Sequence, residues 1–272
     1  MGARLGQHFL SDPSILGRIA DAAGIRAGET VLEIGPGKGS LTRHLARRAA
    51  RVVAIEADRR LAETLRRELD APASAAAAQT EAGAAPEGRA VEIIHGDALR
   101  VPWPAAHRVC GNIPYRITSP LIERALTPPR PLCVVFLVQR EVADRLAAAP
   151  GTRTYGALSA GVQLVARVER LFAVPRGAFR PSPRVDSAVV RLTPHDPLVC
   201  TPEEEASARR LIRASFQHRR QQLRRTLSGL FGVPRAEAEK LLASVGADAA
   251  ARPEVLSPVQ FLDLARAIGP GL

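Results

Sequence analysis

The tetrapeptide Asn112-Ile113-Pro114-Tyr115 has the residue types best suited to chemistry in this chain. A carboxamide oxygen and a neighbouring backbone carbonyl can both accept hydrogen bonds from an amino group. Proline restricts the turn, and an aromatic ring offers a surface on which an extruded nucleobase can stack. Such a set could aim the delocalised lone pair of an exocyclic nucleobase nitrogen at an electrophile. Taken alone, the four residues fit an ordinary Asn-Pro turn beside a core tyrosine equally well.

The segments around the tetrapeptide alternate between short apolar runs and helical patterns from Thr30 to about Gln139. This alternation predicts a doubly wound α/β sheet. After Thr201 the pattern is helical, with single helices predicted from Pro202 to about Leu230, Arg235 to Val245 and Pro258 to Ile268. The strands are predicted at Val31–Ile34, Val52–Ile55, Val91–Ile94, Arg108–Cys110, Leu132–Val138 and Val185–Leu192. We therefore predict an α/β domain of residues 1–195 and a smaller helical domain of residues 196–272. The Ala-rich residues 70–88 are predicted to be a surface insertion.

Several residues that could bind a nucleoside stand where predicted strands end. Ligands of open α/β sheets bind beyond the carboxyl ends of the strands. Gly35 and Gly37 allow the backbone to approach a ligand closely, and Ser40 is predicted to cap the helix that follows them. Glu56 could accept both ribose hydroxyls of an adenosine, and Asp97 could accept its amino group.

The type of nucleoside follows from two further positions. Ser40 stands where the dinucleotide-binding pattern Gly-x-Gly-x-x-Gly requires its third glycine. Glu33, just before the turn, supplies the acidic neighbour that the ammonium group of S-adenosylmethionine needs. The pattern therefore predicts S-adenosylmethionine as the cofactor in preference to a dinucleotide. No metal site is predicted, since Cys110, Cys133 and Cys200 lack close pairing.

The charge balance favours a polyanionic partner, with nucleic acid first and an anionic membrane second. The net charge is +11, from 38 basic and 27 acidic residues, and Lys38 and Lys240 are the only lysines. Arginine suits contacts with phosphates and bases, although coding bias explains its abundance equally well. No apolar run reaches the length of a membrane span, and no signal-peptide pattern follows Met1, so a cytoplasmic protein is expected.

Seven arginines and no acidic residue occur between Arg209 and Arg225. Helical spacing would place Arg209, Arg213, Arg220 and Arg224 on one stripe, opposite apolar residues such as Phe216 and Leu227. A charged stripe is usually only a solvated face, but the absence of carboxylates favours phosphate contact here. The residues predicted to bind RNA are Arg209, Arg213, Arg219, Arg220 and Arg224.

Six motifs in this order resemble those of the ribosomal small-subunit RNA adenine dimethyltransferases of the KsgA type. They are Gly6-Gln7-His8-Phe9-Leu10, Glu33-Ile34-Gly35-Pro36-Gly37, Gly96-Asp97-Ala98, Asn112-Ile113-Pro114-Tyr115, Tyr155-Gly156 and Phe179-Arg180-Pro181-Ser182-Pro183-Arg184-Val185-Asp186-Ser187. The resemblance runs from Gly6 through the C-terminal helices. It implies a Rossmann-like class I methyltransferase domain (1–195), an RNA- or ribosome-binding helical domain (196–272) and a monomeric enzyme.

The resemblance also implies a reaction and its residues. The family transfers two methyl groups to each of two adjacent adenosines in a hairpin loop near the 3′ end of small-subunit ribosomal RNA, by direct displacement and without a metal. Asn112 and the Ile113 carbonyl would hold the amino group, Pro114 would shape the turn, and Tyr115 and Phe179 would cover the two faces of the base. The cofactor contacts carried over by position are His8, Leu10, Gly35, Gly37, Glu56, Asp97 and Asn112.

The chain departs from the family pattern at His8, where Asn is more usual, and at Gln221, where Lys is more usual. Histidine could still donate to the cofactor carboxylate. Three other functions stay open. One is the related large-subunit RNA dimethyltransferase that confers macrolide resistance, against which Asp186 and the helical region after Thr201 argue. The others are an RNA-binding assembly factor without turnover and a methyltransferase of small molecules.

Overall fold

A seven-stranded sheet organises the larger part of the fold. In the computed structural model, which describes residues 8–70 and 90–269, the strands follow the order β4-β3-β2-β5-β6-β9-β7. The strands β2 to β6 are parallel, and β9 runs antiparallel to β6. Their bounds are β2 Thr30–Ile34, β3 Arg51–Glu56, β4 Ala90–His95, β5 Arg108–Asn112, β6 Cys133–Gln139, β7 Ala166–Val174 and β9 Ser187–Pro194. The predicted doubly wound α/β fold is confirmed.

A second, two-stranded sheet pairs β1 (Phe9–Leu10) with β8 (Phe179–Arg180) in antiparallel fashion. Neither these strands nor β7 follows from the sequence pattern. Strand β7 lies at the edge of the large sheet and carries exposed Arg167 and Arg170 among its apolar residues. An edge strand needs no continuous apolar run, because only part of its surface is covered.

The chain divides into two compact units. The first contains the residues up to Ala143 together with Glu169–Thr193, and the second contains Asp144–Val168 together with the residues from Pro194 onward. The division after Thr193 lies beside the predicted boundary at residue 195. Residues 144–168, however, belong to the second unit, which the sequence did not predict. Gly6, Gln7 and nearly all of the predicted insertion lie outside the described residues.

The described residues after Thr201 contain four α-helices, and the predicted single helix from Pro202 to Leu230 is wrong. Helix α7 ends at Gln217, and α8 starts at Leu223. The intervening residues His218–Gln222 are all polar, so a continuous helix would have no apolar side chain to bury there. The helices are α1 Pro13–Ala22, α2 Ser40–Ala46, α3 Arg59–Asp70, α4 Thr118–Ala125, α5 Arg140–Leu146, α6 Ala157–Gln163, α7 Pro202–Gln217, α8 Leu223–Phe231, α9 Arg235–Ser244 and α10 Pro258–Ile268.

Specific polar contacts fix each unit. In the first, Glu29 before β2 accepts two hydrogen bonds of 2.9 Å from Arg108 at the start of β5. These bonds lower the pKa of Glu29 to about 2. In the second, the fully buried Tyr155 donates its hydroxyl to the Leu256 carbonyl at 2.9 Å, and its ring lies edge-on to that of Phe216. No helix among residues 8–70 and 90–269 combines the length and apolar character that crossing a membrane requires.

Candidate functional site

A cleft opens at the carboxyl ends of β2, β3 and β5, where the sequence predicted a nucleoside site. Its volume is about 740 Å³ when the open mouth is included. Most of the predicted cofactor and catalytic residues meet there. The lining residues are His8, Phe9, Leu10, Leu16, Glu33, Gly35, Pro36, Gly37, Lys38, Ser40, Leu41, Glu56, Asn112, Ile113, Pro114 and Tyr115.

The glycine-rich turn after β2 forms the floor of the cleft. Gly37 has a φ of 57°, which L side chains rarely adopt, and a Cβ atom there would lie 2.9 Å from the Phe9 ring. The Gly37 amide donates a hydrogen bond of 2.9 Å to Glu56. Gly39, with a φ of 75°, is the N-cap residue of α2. Ser40 was predicted to be the cap, but it is the first residue of the helix. The backbone of this turn can therefore approach a ligand without an intervening side chain.

Glu56 ends β3 with its carboxylate fixed by the backbone. One oxygen accepts the Gly37 amide and the other accepts the Asp58 amide, each at 2.9 Å. Burial raises the pKa of Glu56, and the two backbone hydrogen bonds oppose this shift. A carboxylate held in this way at a strand end can accept two hydroxyl groups of one ligand.

Glu33 is a buried acid within the cleft. Its side chain is 1% exposed, and its Oε2 has no hydrogen-bond partner among the residues that the structure describes. Burial raises its pKa to about 8, and the negative charge of Glu56 adds to the shift. A buried acceptor without a partner is costly, whereas a cation brought into the cleft would give it one. Glu33 is therefore suited to an ammonium group.

Asn112 ends β5 in a fixed orientation. Its Nδ2 donates a hydrogen bond of 3.0 Å to the backbone carbonyl of His8. Because the amide hydrogens are directed to the N-terminal segment, the carboxamide oxygen is the atom left to accept from a ligand amino group. Pro114 follows with an extended backbone at φ −60° and ψ 130°, which carries the chain outward before Tyr115.

Tyr115 is held by a hydrogen bond and a ring contact. Its hydroxyl is hydrogen-bonded to the fully buried Ser187 at 2.7 Å, and its ring stacks with that of His8 at a centroid distance of 6.1 Å. Burial raises the pKa of the Tyr115 hydroxyl. His8 donates from Nδ1 to the Pro181 carbonyl at 2.8 Å. The hydroxyl is therefore a positioning group for the ring.

Two predicted site residues lie outside the cleft lining. Asp97 is exposed in the turn after β4, where it accepts the Leu99 amide at 2.9 Å. Phe179 is fully buried in the core, with 0% of its surface exposed, and it pairs with Leu10 in the two-stranded sheet. Phe179 could cover a bound base only if its ring left the core, so its role on that face stays a prediction. Leu16 and Lys38, in contrast, line the cleft without having been predicted, Leu16 because α1 was not recognised.

The predicted RNA-binding arginines do not form one stripe, because α7 ends before Arg219. Three of the five have a carboxylate partner within the second unit. These ion pairs are Arg209 with Glu205 at 2.8 Å, Arg219 with Glu254 at 3.7 Å and Arg224 with Glu239 at 3.0 Å. Arg213 and Arg220 are exposed and have no ion-pair partner among the described residues. Residues 209–225 thus contain no carboxylate themselves, but glutamates from other parts of the chain lie next to three of their arginines.

Comparison with known proteins agrees with this geometry. The family model of the Ribosomal RNA adenine dimethylase matches residues 2–268. The Ribosomal RNA small subunit methyltransferase A of Geobacillus thermodenitrificans is 39% identical over 98% of this chain and 90% of its own length. Two solved structures, each 28% identical, are similar along nearly their whole length. A dimethyladenosine transferase from Plasmodium falciparum has a TM-score of 0.78 and covers 94% of this chain and 96% of its own. The 23S rRNA methyltransferase ErmE has a TM-score of 0.72 and covers 96% and 99%. The chain belongs to the ribosomal RNA adenine dimethylase family.

Proposed function

We propose that this rRNA methyltransferase converts two adjacent adenosines in the 3′-terminal hairpin loop of small-subunit ribosomal RNA to N6,N6-dimethyladenosine. S-adenosylmethionine is the proposed methyl donor, and the reaction is a step in small-subunit biogenesis. The observation that carries the proposal is the fixed carboxamide of Asn112 beside two buried carboxylates in one cleft. The name of the Geobacillus relative supports the small subunit as the source of the RNA.

The cleft residues fit the proposed cofactor. Glu56 would accept the ribose hydroxyls, and Glu33 would meet the ammonium group with the oxygen that lacks a partner. Gly35 and Gly37 let the backbone approach the ligand, and Leu10 contributes apolar lining. When bound, the cofactor supplies an electrophilic methyl group on a positively charged sulfur. The contact of Asp97 with the adenine remains a proposal that requires its exposed carboxylate to turn toward the ligand.

The protein's part in the transfer is to position the amine. The Asn112 carboxamide oxygen and the Ile113 carbonyl would accept the two hydrogens of the target amino group, so that its lone pair points toward the methyl group. Tyr115 would stack on the extruded adenine, with Ser187 holding the ring in place. Positioning of this kind supplies much of the rate of a displacement reaction. A role for Phe179 on the opposite face would require its ring to leave the core.

The role proposed for His8 depends on its protonation state. Since Nδ1 donates to the Pro181 carbonyl, the neutral ring has only a lone pair at Nε2. Donation to the cofactor carboxylate therefore requires the imidazolium form. RNA contact by the second unit is proposed for exposed Arg213 and Arg220 first, because Arg209, Arg219 and Arg224 are engaged with carboxylates.

The experiment that tests the proposal is methyl transfer from labelled S-adenosylmethionine to separated small and large subunits of a strain that lacks the modification. We expect label in the small subunit alone and dimethyladenosine at two neighbouring positions by mass spectrometry. Label confined to the large subunit would favour the alternative function, methylation of large-subunit RNA, which the name of the similar 23S rRNA methyltransferase ErmE suggests. Binding of small subunits without any label would favour an assembly factor without turnover.

The catalytic assignment is tested by Asn112→Ala. The variant should bind S-adenosylmethionine but lose roughly 100-fold or more in transfer rate, comparable to the loss of one oriented hydrogen-bonding group at a reacting centre. Ser119→Ala, in the helix that follows, is the matched control. Full activity of Asn112→Ala would contradict the assignment.

A further inference from the structure

We propose that four exposed arginines at the rim of the cleft bind the phosphates that flank the target adenosine. They are Arg116, Arg176, Arg180 and Arg184, and we call them the basic rim. The inference rests on the proposed function and deepens it. It places a phosphate-binding surface on the catalytic unit, separate from the arginines of the C-terminal helices.

The basic rim lies beside the cleft because its loop is tied to cleft residues. The loop consists of residues 175–186. Arg180 pairs with Phe9, and the Pro181 carbonyl accepts the His8 ring at 2.8 Å. Immediately after the loop, Ser187 is hydrogen-bonded to Tyr115. Arg116 follows Tyr115 directly along the chain. The four arginines thus lie on chain segments that contact, or directly follow, the residues of the cleft.

The loop is fixed by its own hydrogen bonds. Asp186 accepts the Arg176 amide at 3.1 Å, and Ser182 donates its hydroxyl to the Arg176 carbonyl at 2.9 Å. Arg180 donates from Nη1 to the carbonyls of Gly177 and Phe179, both at 3.0 Å. Backbone carbonyls orient the guanidinium without neutralising it, so its charge and remaining donors stay available. An ordered cation loses less side-chain entropy when it binds a phosphate.

The charge of the basic rim is largely uncompensated. None of its four guanidinium groups has a carboxylate within ion-pair distance among residues 8–70 and 90–269. Asp186 is the one acidic residue in the loop, against three arginines. Arg209, Arg219 and Arg224 differ in this respect, since each has a carboxylate partner. A phosphate would gain more from the uncompensated cations, because it need not compete with a protein carboxylate.

The chemistry of the site requires such contacts. A base that is extruded for reaction loses its stacking with its neighbours, and this loss is unfavourable. Ion pairs to the flanking phosphates can offset this cost while fixing the position of the nucleotide. A single strand of RNA carries one negative charge per nucleotide, so its successive phosphates are complementary in charge to the several arginines of the basic rim.

The experiment compares two double variants that remove the same net charge. Arg176→Gln/Arg184→Gln alters the basic rim. Arg26→Gln/Arg67→Gln alters two exposed arginines that lie outside the cleft lining and that also have no ion-pair partner among the described residues. Binding of each variant to unmodified small subunits is measured over a range of KCl concentrations. S-adenosylmethionine affinity and thermal unfolding show that each variant is folded and has an intact cleft.

For the rim variant we expect the slope of log K against log salt concentration to decrease by roughly 1.4 to 1.8, or about 0.7 to 0.9 for each phosphate contact. At about 0.1 M salt this corresponds to a loss of roughly 20- to 60-fold in affinity. The control variant should keep the wild-type slope, and both should keep the wild-type affinity for S-adenosylmethionine. If the rim variant shows the same slope and affinity as the control, the basic rim does not bind phosphate. The proposed function would still stand in that case if the wild type methylates small subunits. A wild type that does not methylate them would overturn the proposed function itself.

Discussion

Replacement of Glu33 by glutamine should stabilise the cofactor-free protein while weakening cofactor binding. Glu33 is 1% exposed, and its pKa is raised from 4.5 to about 8. Between these two values the folded protein retains a proton that the unfolded chain has lost. The stability of the wild type therefore falls as the pH rises, by about 1.4 kcal/mol per pH unit from this group alone. Glutamine does not titrate, so Glu33→Gln lacks this loss.

The size of the effect follows from the same relation. From about pH 5.5 to about pH 7.5, the stability advantage of Glu33→Gln over the wild type should grow by roughly 3 kcal/mol. Other groups titrate equally in both proteins and cancel in the difference. Urea unfolding without ligand at several pH values measures it, and Glu92→Gln, which changes an exposed carboxylate, is the control.

The effect on binding should have the opposite sign. Without the carboxylate, the ammonium group of S-adenosylmethionine would lose the charged partner proposed for it, which corresponds to about 1.5–3 kcal/mol or roughly 10- to 100-fold in affinity. Isothermal titration calorimetry measures this loss. A stability difference that does not change with pH would refute the reasoning, since it would mean that Glu33 is ionised in the empty cleft.

Three further predictions concern other contacts. Tyr115→Phe and Ser187→Ala should each slow methyl transfer and be coupled by about 0.5–1.5 kcal/mol in a double-mutant cycle, and additive effects would show that their hydrogen bond does not position the ring. Gly37→Ala should cost about 1–2 kcal/mol in urea unfolding because of its positive φ, and wild-type stability would contradict the strain. Glu29→Gln should destabilise the protein by on the order of 3 kcal/mol above pH 4.5. The difference should diminish as the pH falls toward 2, because the Glu29 carboxylate of the folded wild type becomes protonated in that range. Unfolding curves that coincide at pH 7 would count against this prediction.

The sheet could be predicted because its strands carry strong local signals. The run at Val52–Ile55 is apolar throughout, and the run at Val31–Ile34 is apolar except for Glu33. This composition is expected for strands covered on both faces, and both runs lie within observed strands. Asn112 and Glu56 could be placed at one edge of the sheet because parallel strands end together. Strand β7, with charged residues on its exposed positions, gave no such signal.

Long-range pairing could not be predicted from local patterns. The partners Glu239 and Glu254 are distant along the chain from the arginines that they neutralise. The pair of Glu205 with Arg209 is different. It has the spacing of one helical turn, because Glu205 precedes the first arginine of the segment by four residues, and it therefore follows from the local sequence.

Asn112 donates its hydrogen bond to the main-chain carbonyl of His8 and not to the side chain. Substituting residue 8 and deleting it should therefore have different effects on Asn112. A substitution at position 8 alters the imidazole and its contacts with Tyr115 and Pro181, but every amino acid retains the carbonyl that orients the amide. Evolution can therefore vary this side chain without rotating the carboxamide. Deleting the segment through His8 would remove that acceptor, and the amide would be free to present its NH₂ group to the substrate.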